Sequence, residues 1–175
     1  MASIINASTN GLVTSGDNTG ILNIQVSGNN ALAVNADKSV SFIGGGITKN
    51  IQETATISAT AATGTVNVDV LTSVVWYYTV NASANWTFNF RGNSGTTLDS
   101  VMSTGQSLTV AFLVQQGSTP YYASAITIDG AANTPVWQGG APTSATPGVL
   151  DSYVYTIIKT SSATFKVLAQ RISYS

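Results

Sequence analysis

The chain has 175 residues, the length of about one ordinary domain, and only 7% of them are charged, with 6 Lys+Arg, 7 Asp+Glu and a net charge of −1. A typical soluble domain is about one quarter charged. Because 43% of the residues are hydrophobic, as is usual, uncharged polar residues replace the missing charge: 24 Thr, 21 Ser and 14 Asn. Cys and His are absent, which excludes disulfide frameworks, Cys/His zinc sites and histidine-based catalysis, and no cofactor is expected.

Two further partner classes are disfavoured by the same composition. Lys and Arg are nowhere clustered, so binding to nucleic acid or to an anionic membrane surface is not expected. No apolar run approaches the roughly 20 residues that span a bilayer. The first residues, Met1 to Asn6, lack the basic and apolar regions of a secretory signal, so we expect a protein made in the cytoplasm and not exported by that route.

The first segment, residues 1–46, ends at the only triple-glycine run of the chain. Alternating apolar and polar residues predict short strands near residues 20–26, 31–35 and 39–43. A segment of this length rarely buries enough apolar surface to be stable alone. We therefore interpret it as a β assembly or attachment segment that is ordered by the second domain, by identical copies or by a partner. The candidate interface residues are Leu12, Val13, Leu22, Ile24, Val26, Leu32, Val34 and Phe42.

The second segment, residues 47–175, contains every Trp and Tyr of the chain. Strict alternation at Trp86, Phe88 and Phe90 predicts a strand with one buried face. The runs 74–78, 110–114 and 153–158 are apolar on both sides and predict central strands that are covered on both faces. Turn signals such as Asp129-Gly130 separate many short strands, so the fold class is all-β and the domain is predicted to be an antiparallel, jelly-roll-like β-sandwich.

A search for catalytic chemistry gives no candidate. The seven carboxylates are isolated in sequence, which favours surface or turn roles, and no nucleophile motif accompanies the abundant Ser and Thr. We therefore expect a protein that is not an enzyme. Tyr121 and Tyr122, which follow a predicted loop, are the candidates for stacking against a glycan, although adjacent aromatic residues lie more often in a core or an interface.

Parts of the chain resemble virion structural proteins of tailed bacteriophages. The segment 5–25, INASTNGLVTSGDNTGILNIQ, and its continuation 31–42, ALAVNADKSVSF, resemble the segment that precedes a fibre or decoration module in such proteins. The segments 86–93 (WTFNFRGN), 102–107 (MSTGQS), 136–142 (VWQGGAP) and 155–160 (YTIIKT) resemble a module in virion proteins of cyanobacterial and marine phages. The resemblance implies location in the virion, a homotrimer and contacts with other capsid or tail proteins.

Three functions follow as expectations, in decreasing order of preference. The first is an outer-surface virion protein, either a capsid decoration (cement) protein or a short head fibre, that stabilises through contacts between copies. The second is a tail-fibre or receptor-binding protein whose loops contact a host glycan. The third is a glycan-degrading tailspike, for which the sequence offers no acid pair.

Overall fold

The computed structural model describes residues 22–26, 29–34, 40–42 and 52–175. The chain divides into two compact units, Met1–Ile51 and Gln52–Ser175. The boundary expected from sequence, between residues 46 and 47, stays a prediction because residues 43–51 lie outside the described part.

The first unit contains a three-stranded antiparallel sheet in the order β1-β2-β3. Its strands are β1 (Leu22–Val26), β2 (Asn29–Val34) and β3 (Val40–Phe42). They match the three strands predicted from alternation, with shifts of one or two residues at most of their ends. A β-bulge between Ile24 and Gln25 changes the register of β1 against β2.

The second unit consists of two sheets and one short helix. The four-stranded sheet has the order β10-β9-β7-β5, and the six-stranded sheet has the order β11-β13-β12-β8-β6-β4. The strands of the four-stranded sheet are β5 (Gly64–Asp69), β7 (Trp86–Arg91), β9 (Ala123–Ile128) and β10 (Ala131–Asn133). Those of the six-stranded sheet are β4 (Ala55–Ser58), β6 (Val75–Tyr78), β8 (Ser107–Gln115), β11 (Val136–Trp137), β12 (Leu150–Ser161) and β13 (Thr164–Tyr174). The helix is α1 (Leu98–Val101), whose N-cap is Thr97.

Strands β4 to β9 alternate between the two sheets along the chain. Because each strand crosses to the opposite sheet before the chain returns, neighbours in a sheet run in the same direction: β4, β6 and β8 are parallel, and so are β5, β7 and β9. Antiparallel pairing occurs where β12 joins β8 and β13, and in the hairpin of β9 and β10. The all-β prediction is therefore confirmed, the antiparallel pairing predicted for the sandwich is wrong for β4 to β9, and a jelly-roll order is not confirmed.

The core of the second unit lies between the two sheets. Phe88 of the four-stranded sheet contacts Phe112 and Tyr155 of the six-stranded sheet, with ring centroids 4.6 and 5.4 Å apart. Trp86 and Phe88 are fully buried, as their alternation predicts. The hairpin turn predicted at Asp129-Gly130 is also present, with both residues at positive φ (51° and 82°). No helix within the described ranges is long and apolar enough to cross a membrane.

Candidate assembly surface and buried polar groups

The three-stranded sheet of the first unit leaves large apolar side chains open to water. Ile24 is 51% exposed and lies opposite Leu32, while Val40 is 53% exposed and lies opposite Val34. Directly paired residues of antiparallel strands share one face of a sheet, so these side chains form an apolar surface. Ala33, which points to the other face by strand alternation, is buried. Among the side chains described in this sheet, those on the apolar side are thus more exposed than the one described on the opposite side.

The described residues include part of the predicted assembly interface. Ile24 is exposed, and Leu32 and Val34 are half-buried, so these three lie where a second surface could contact them. Leu12 and Val13 lie outside the described residues, as do the side chains of Leu22, Val26 and Phe42, although the backbone of the latter three takes part in the strands. Their interface role stays a prediction.

Tyr121 and Tyr122, the candidates for glycan contact, are held by polar side chains from other parts of the second unit. The buried Gln116 accepts a hydrogen bond from the Tyr121 N–H (3.0 Å) and donates one to the Tyr121 carbonyl (2.7 Å). The Tyr122 N–H donates to Oδ1 of Asn85 (3.0 Å). Both tyrosines are half-buried, and Tyr121 packs against the core, which reduces the ring surface available for stacking. Glycan contact by this pair remains a prediction.

A buried carboxylate lies at the centre of a polar network in the second unit. Asp151 is completely buried and accepts hydrogen bonds from Nε2 of Gln116 (2.9 Å) and Oγ of Ser173 (2.6 Å). The Arg171 guanidinium lies 3.4 Å from the same carboxylate and also donates to the Ser144 carbonyl. Buried charges persist when they are paired and hydrogen-bonded in this way. The network joins β12, β13 and the end of β8, so its role is to hold backbone segments together.

A second buried charge, Lys159, anchors the helix α1. Its Nζ lies 2.5 Å from the Asp99 carbonyl, 2.9 Å from the Met102 carbonyl and 2.7 Å from the Asp99 carboxylate. The three protons of an ammonium group match these three acceptors. The hydrogen bonds from Lys159 and from the Ala163 N–H lower the pKa of Asp99. The other end of α1 is capped by Asp129, which accepts from the N–H groups of Leu98 (2.6 Å) and Asp99 (3.0 Å).

The sequence interpretation of the carboxylates is wrong for Asp151. It assigned the acids to surface or turn roles, but Asp151 is completely buried, on the same face of β12 as the core residues Tyr153 and Tyr155. The neighbouring residues in the sequence, Leu150 and Ser152, do not indicate that Asp151 is buried. Its burial depends on partners that compensate its charge, and these come from distant parts of the chain. Asp129 does occupy a turn, as predicted. Within the described ranges no group of three or more acidic residues is arranged to hold a metal ion.

Comparisons with known proteins identify no relative of the chain. No protein-family model matches the chain, and no match was found among curated proteins or among solved structures.

Proposed function

We propose that the chain is a non-enzymatic structural protein on the outer surface of a bacteriophage virion, acting as a capsid decoration protein or a short head fibre. The observation that carries the proposal is the open apolar face of the three-stranded sheet, on which Ile24 and Val40 are each about half exposed. Burial of apolar surface contributes about 25 cal/mol per Å². A sheet that leaves such side chains in water gains this free energy only when another surface covers them.

The composition supports assembly and not chemistry. With 7% charged residues and a net charge of −1, copies of the chain repel one another little at close range. The three ion pairs among the described residues join Asp69 to Arg91, Asp99 to Lys159 and Asp151 to Arg171, and each links separate backbone segments. The assignment to a phage virion rests on the sequence segments that resemble virion proteins. In this function the first unit attaches the protein to its own copies, expected to be three, or to a neighbouring virion protein, while the second unit is displayed.

Virion incorporation tests both parts of the proposal. In a phage that lacks the gene, the wild-type chain, Ile24→Lys, Val40→Lys and the control Val80→Lys are supplied in turn, and the protein in purified virions is quantified by mass spectrometry. Val80 is 42% exposed but belongs to the second unit, so the same chemical change is made outside the three-stranded sheet. We expect incorporation of Ile24→Lys and Val40→Lys to fall at least tenfold, because each change buries a charge in the contact, and Val80→Lys to incorporate normally.

The outcomes separate the two parts. Absence of the wild-type protein from purified virions would refute the virion assignment. Normal incorporation of both sheet variants would leave a virion protein that does not attach through this sheet. The copy number also distinguishes the preferred function from its alternative: many copies spread over the capsid mean decoration, whereas a few copies at the tail favour a receptor-binding fibre that contacts a host glycan.

A further inference from the structure

The two outer faces of the second unit differ in chemistry. On the four-stranded sheet, the outer face carries a polar ladder in which Asn89 donates to Asn67 (2.8 Å) and accepts from Thr127 (2.8 Å). Next to the ladder, the Arg91 guanidinium pairs with the Asp69 carboxylate at 2.6 Å. Groups bonded to one another and to water in this way suit a face that stays in solvent.

The outer face of the six-stranded sheet instead carries many large apolar side chains, interspersed with uncharged polar ones such as Thr109, Thr156 and Gln170. Its core-facing residues include Trp76, Phe112 and Tyr153, so strand alternation turns their neighbours outward. We call the outward set the apolar face; its large members include Ile57, Tyr77, Leu113, Val154, Leu168 and Ile172. One row of paired residues runs across five strands from Ile57 through Tyr77 and Leu113 to Ser152 and Ile172.

Several large apolar side chains on this face are exposed. Ile57 is 70% exposed, Ile172 46% and Leu168 44%. Beside Leu168 a depression of about 360 Å³ lies between Val136 and Val154, which could accept an apolar side chain. The sequence pattern of β6, β8 and β12 is apolar on both sides, which is typical of strands covered on both faces. Within residues 52–175 the core covers only one of these faces.

We propose that the apolar face packs against the same face of a second copy of this chain. The near absence of charge on this face favours a second copy over other partners. Lys166 is the only charged residue that alternation places on this face of the described sheet. A charged partner would therefore meet few opposite charges here, whereas two copies of the face repel each other little. A two-fold contact needs one patch that is complementary to itself, and an apolar sheet face meets this requirement, because two such faces pack about 10 Å apart in a sandwich.

The size of the face is sufficient for a specific contact. Five strands about 4.8 Å apart and about seven residues of about 3.3 Å each give roughly 550 Å² per copy, hence roughly 1,100 Å² for a pair. A biological interface starts near 1,000 Å². Edge-to-edge pairing is the less favourable alternative, since the edge strands β4 and β11 have only four and two residues. The proposal does not depend on the proposed function and concerns a different surface from the first unit.

Spin labels distinguish a contact at this face from one made by the first unit. The chain has no Cys, so a single introduced Cys carries the only label. Thr109→Cys places it on the apolar face, and the matched control Thr65→Cys places it at another exposed Thr, on the outer face of the opposite sheet. In the full-length protein we expect dipolar distances below about 25 Å for Thr109→Cys and above about 30 Å for Thr65→Cys, because two packed sheets of one copy separate each Thr65 from the contact.

Substitutions supply the second readout in the same full-length protein. Leu168→Lys places a charge in the contact, whereas Leu71→Lys makes the same change at a 56% exposed residue in the turn after β5. By sedimentation velocity we expect Leu168→Lys to raise the dissociation constant of the pair at least 100-fold and Leu71→Lys to leave it within about threefold. A monomeric wild-type protein, or an oligomer without short distances at Thr109, would overturn the proposal. A monomeric protein that still incorporates into virions would overturn this proposal but leave the proposed function unaffected.

Discussion

At the scale of single residues, two neighbouring tyrosines in the core have opposite hydrogen-bonding states. The Tyr153 hydroxyl accepts a hydrogen bond from the Ala123 N–H at 3.2 Å, whereas the Tyr155 hydroxyl is buried without a partner. Their rings are stacked 6.5 Å apart and both are completely buried. The difference between them therefore lies at the hydroxyl oxygens, and a Phe substitution at either position removes only that atom.

We expect Tyr155→Phe to leave the free energy of unfolding unchanged or to raise it by up to about 1 kcal/mol, because a desolvated, unpaired hydroxyl is removed. Tyr153→Phe leaves the Ala123 N–H unpaired in the core and should lower that free energy by about 1–3 kcal/mol. Urea denaturation of the two variants side by side measures the difference. Equal losses in both variants would mean that the Tyr155 hydroxyl has a partner after all.

The same burial predicts a loss of stability at alkaline pH. Desolvation raises the pKa of Tyr153 to about 12, and it raises the pKa of Tyr155 well above its usual value. In the unfolded chain both ionise near pH 10, so between pH 10 and 12 the folded state holds more protons than the unfolded state. Stability therefore falls as pH rises through this interval, by about 3 kcal/mol for a rise of two units at Tyr153.

Denaturation midpoints measured from pH 8 to 12 check this sign. Tyr155→Phe removes one of the two buried phenols, so we expect its stability to fall less steeply above pH 10 than that of the wild-type protein. Tyr174→Phe is the control, because Tyr174 is 53% exposed and its substitution should leave the slope unchanged. The same slope in all three proteins would contradict a contribution from buried tyrosine.

At the scale of elements, Gly92 fixes how the end of β7 approaches α1. A Cβ at this position would lie 2.8 Å from the Thr96 carbonyl oxygen and 2.9 Å from Cγ2 of Val101. Backbone cannot yield as a flexible side chain can, so Gly92→Ala must shift the loop or the helix. We expect a loss of about 1–3 kcal/mol in the free energy of unfolding, as for overpacked sites.

Gly95, three residues later in the same loop, supplies the control. A Cβ there meets only Oδ1 of Asn93, at 3.8 Å, and neither glycine adopts a positive φ. Gly95→Ala should therefore change the free energy of unfolding by less than about 0.5 kcal/mol. Thermal and urea denaturation compare the two variants, and similar stabilities would show that the loop absorbs the added methyl group at residue 92.

The strands themselves were predictable from local pattern, but their pairing was not. Alternation of Trp86, Phe88 and Phe90 gives the buried face of β7, and Asp129-Gly130 gives a hairpin turn, because each depends on neighbours in sequence. The parallel pairing of β5 with β7 depends on β6 crossing to the other sheet, which no residue of β5 encodes. The buried network around Asp151 was missed for the same reason, since Gln116 lies 35 residues away in sequence.

The candidate assembly surface was likewise predictable only where it depends on local sequence. The apolar alternation of Ile24 with its neighbours predicted a strand and an interface role, and the exposure of Ile24 agrees with a surface that is available for contact. The apolar face of the second unit could not be predicted in this way. Runs that are apolar on both sides predicted strands covered on both faces, and only the arrangement of the two sheets shows which side the core covers.

At the scale of the whole molecule, the core cluster found among the described residues belongs to the second unit. Its buried members run from Ala62 to Ala169 and come from both sheets. Residues 52–175 therefore contain the apolar burial that stabilises this unit, and a chain of this length buries enough surface to fold alone. The described sheet of the first unit, in contrast, leaves Ile24 and Val40 about half exposed. The two units should thus differ in whether they need a partner to fold.

We expect a fragment of residues 52–175 to unfold in one cooperative transition, with a midpoint within a few degrees of the corresponding transition in the full chain. Circular dichroism and differential scanning calorimetry measure both. Phe88→Ala in the fragment serves as a reference, because loss of this fully buried ring should cost about 3–5 kcal/mol and lower the midpoint clearly. A fragment without a cooperative transition would mean that the second unit depends on residues 1–51, and attachment through the first unit could then no longer be separated from folding of the second.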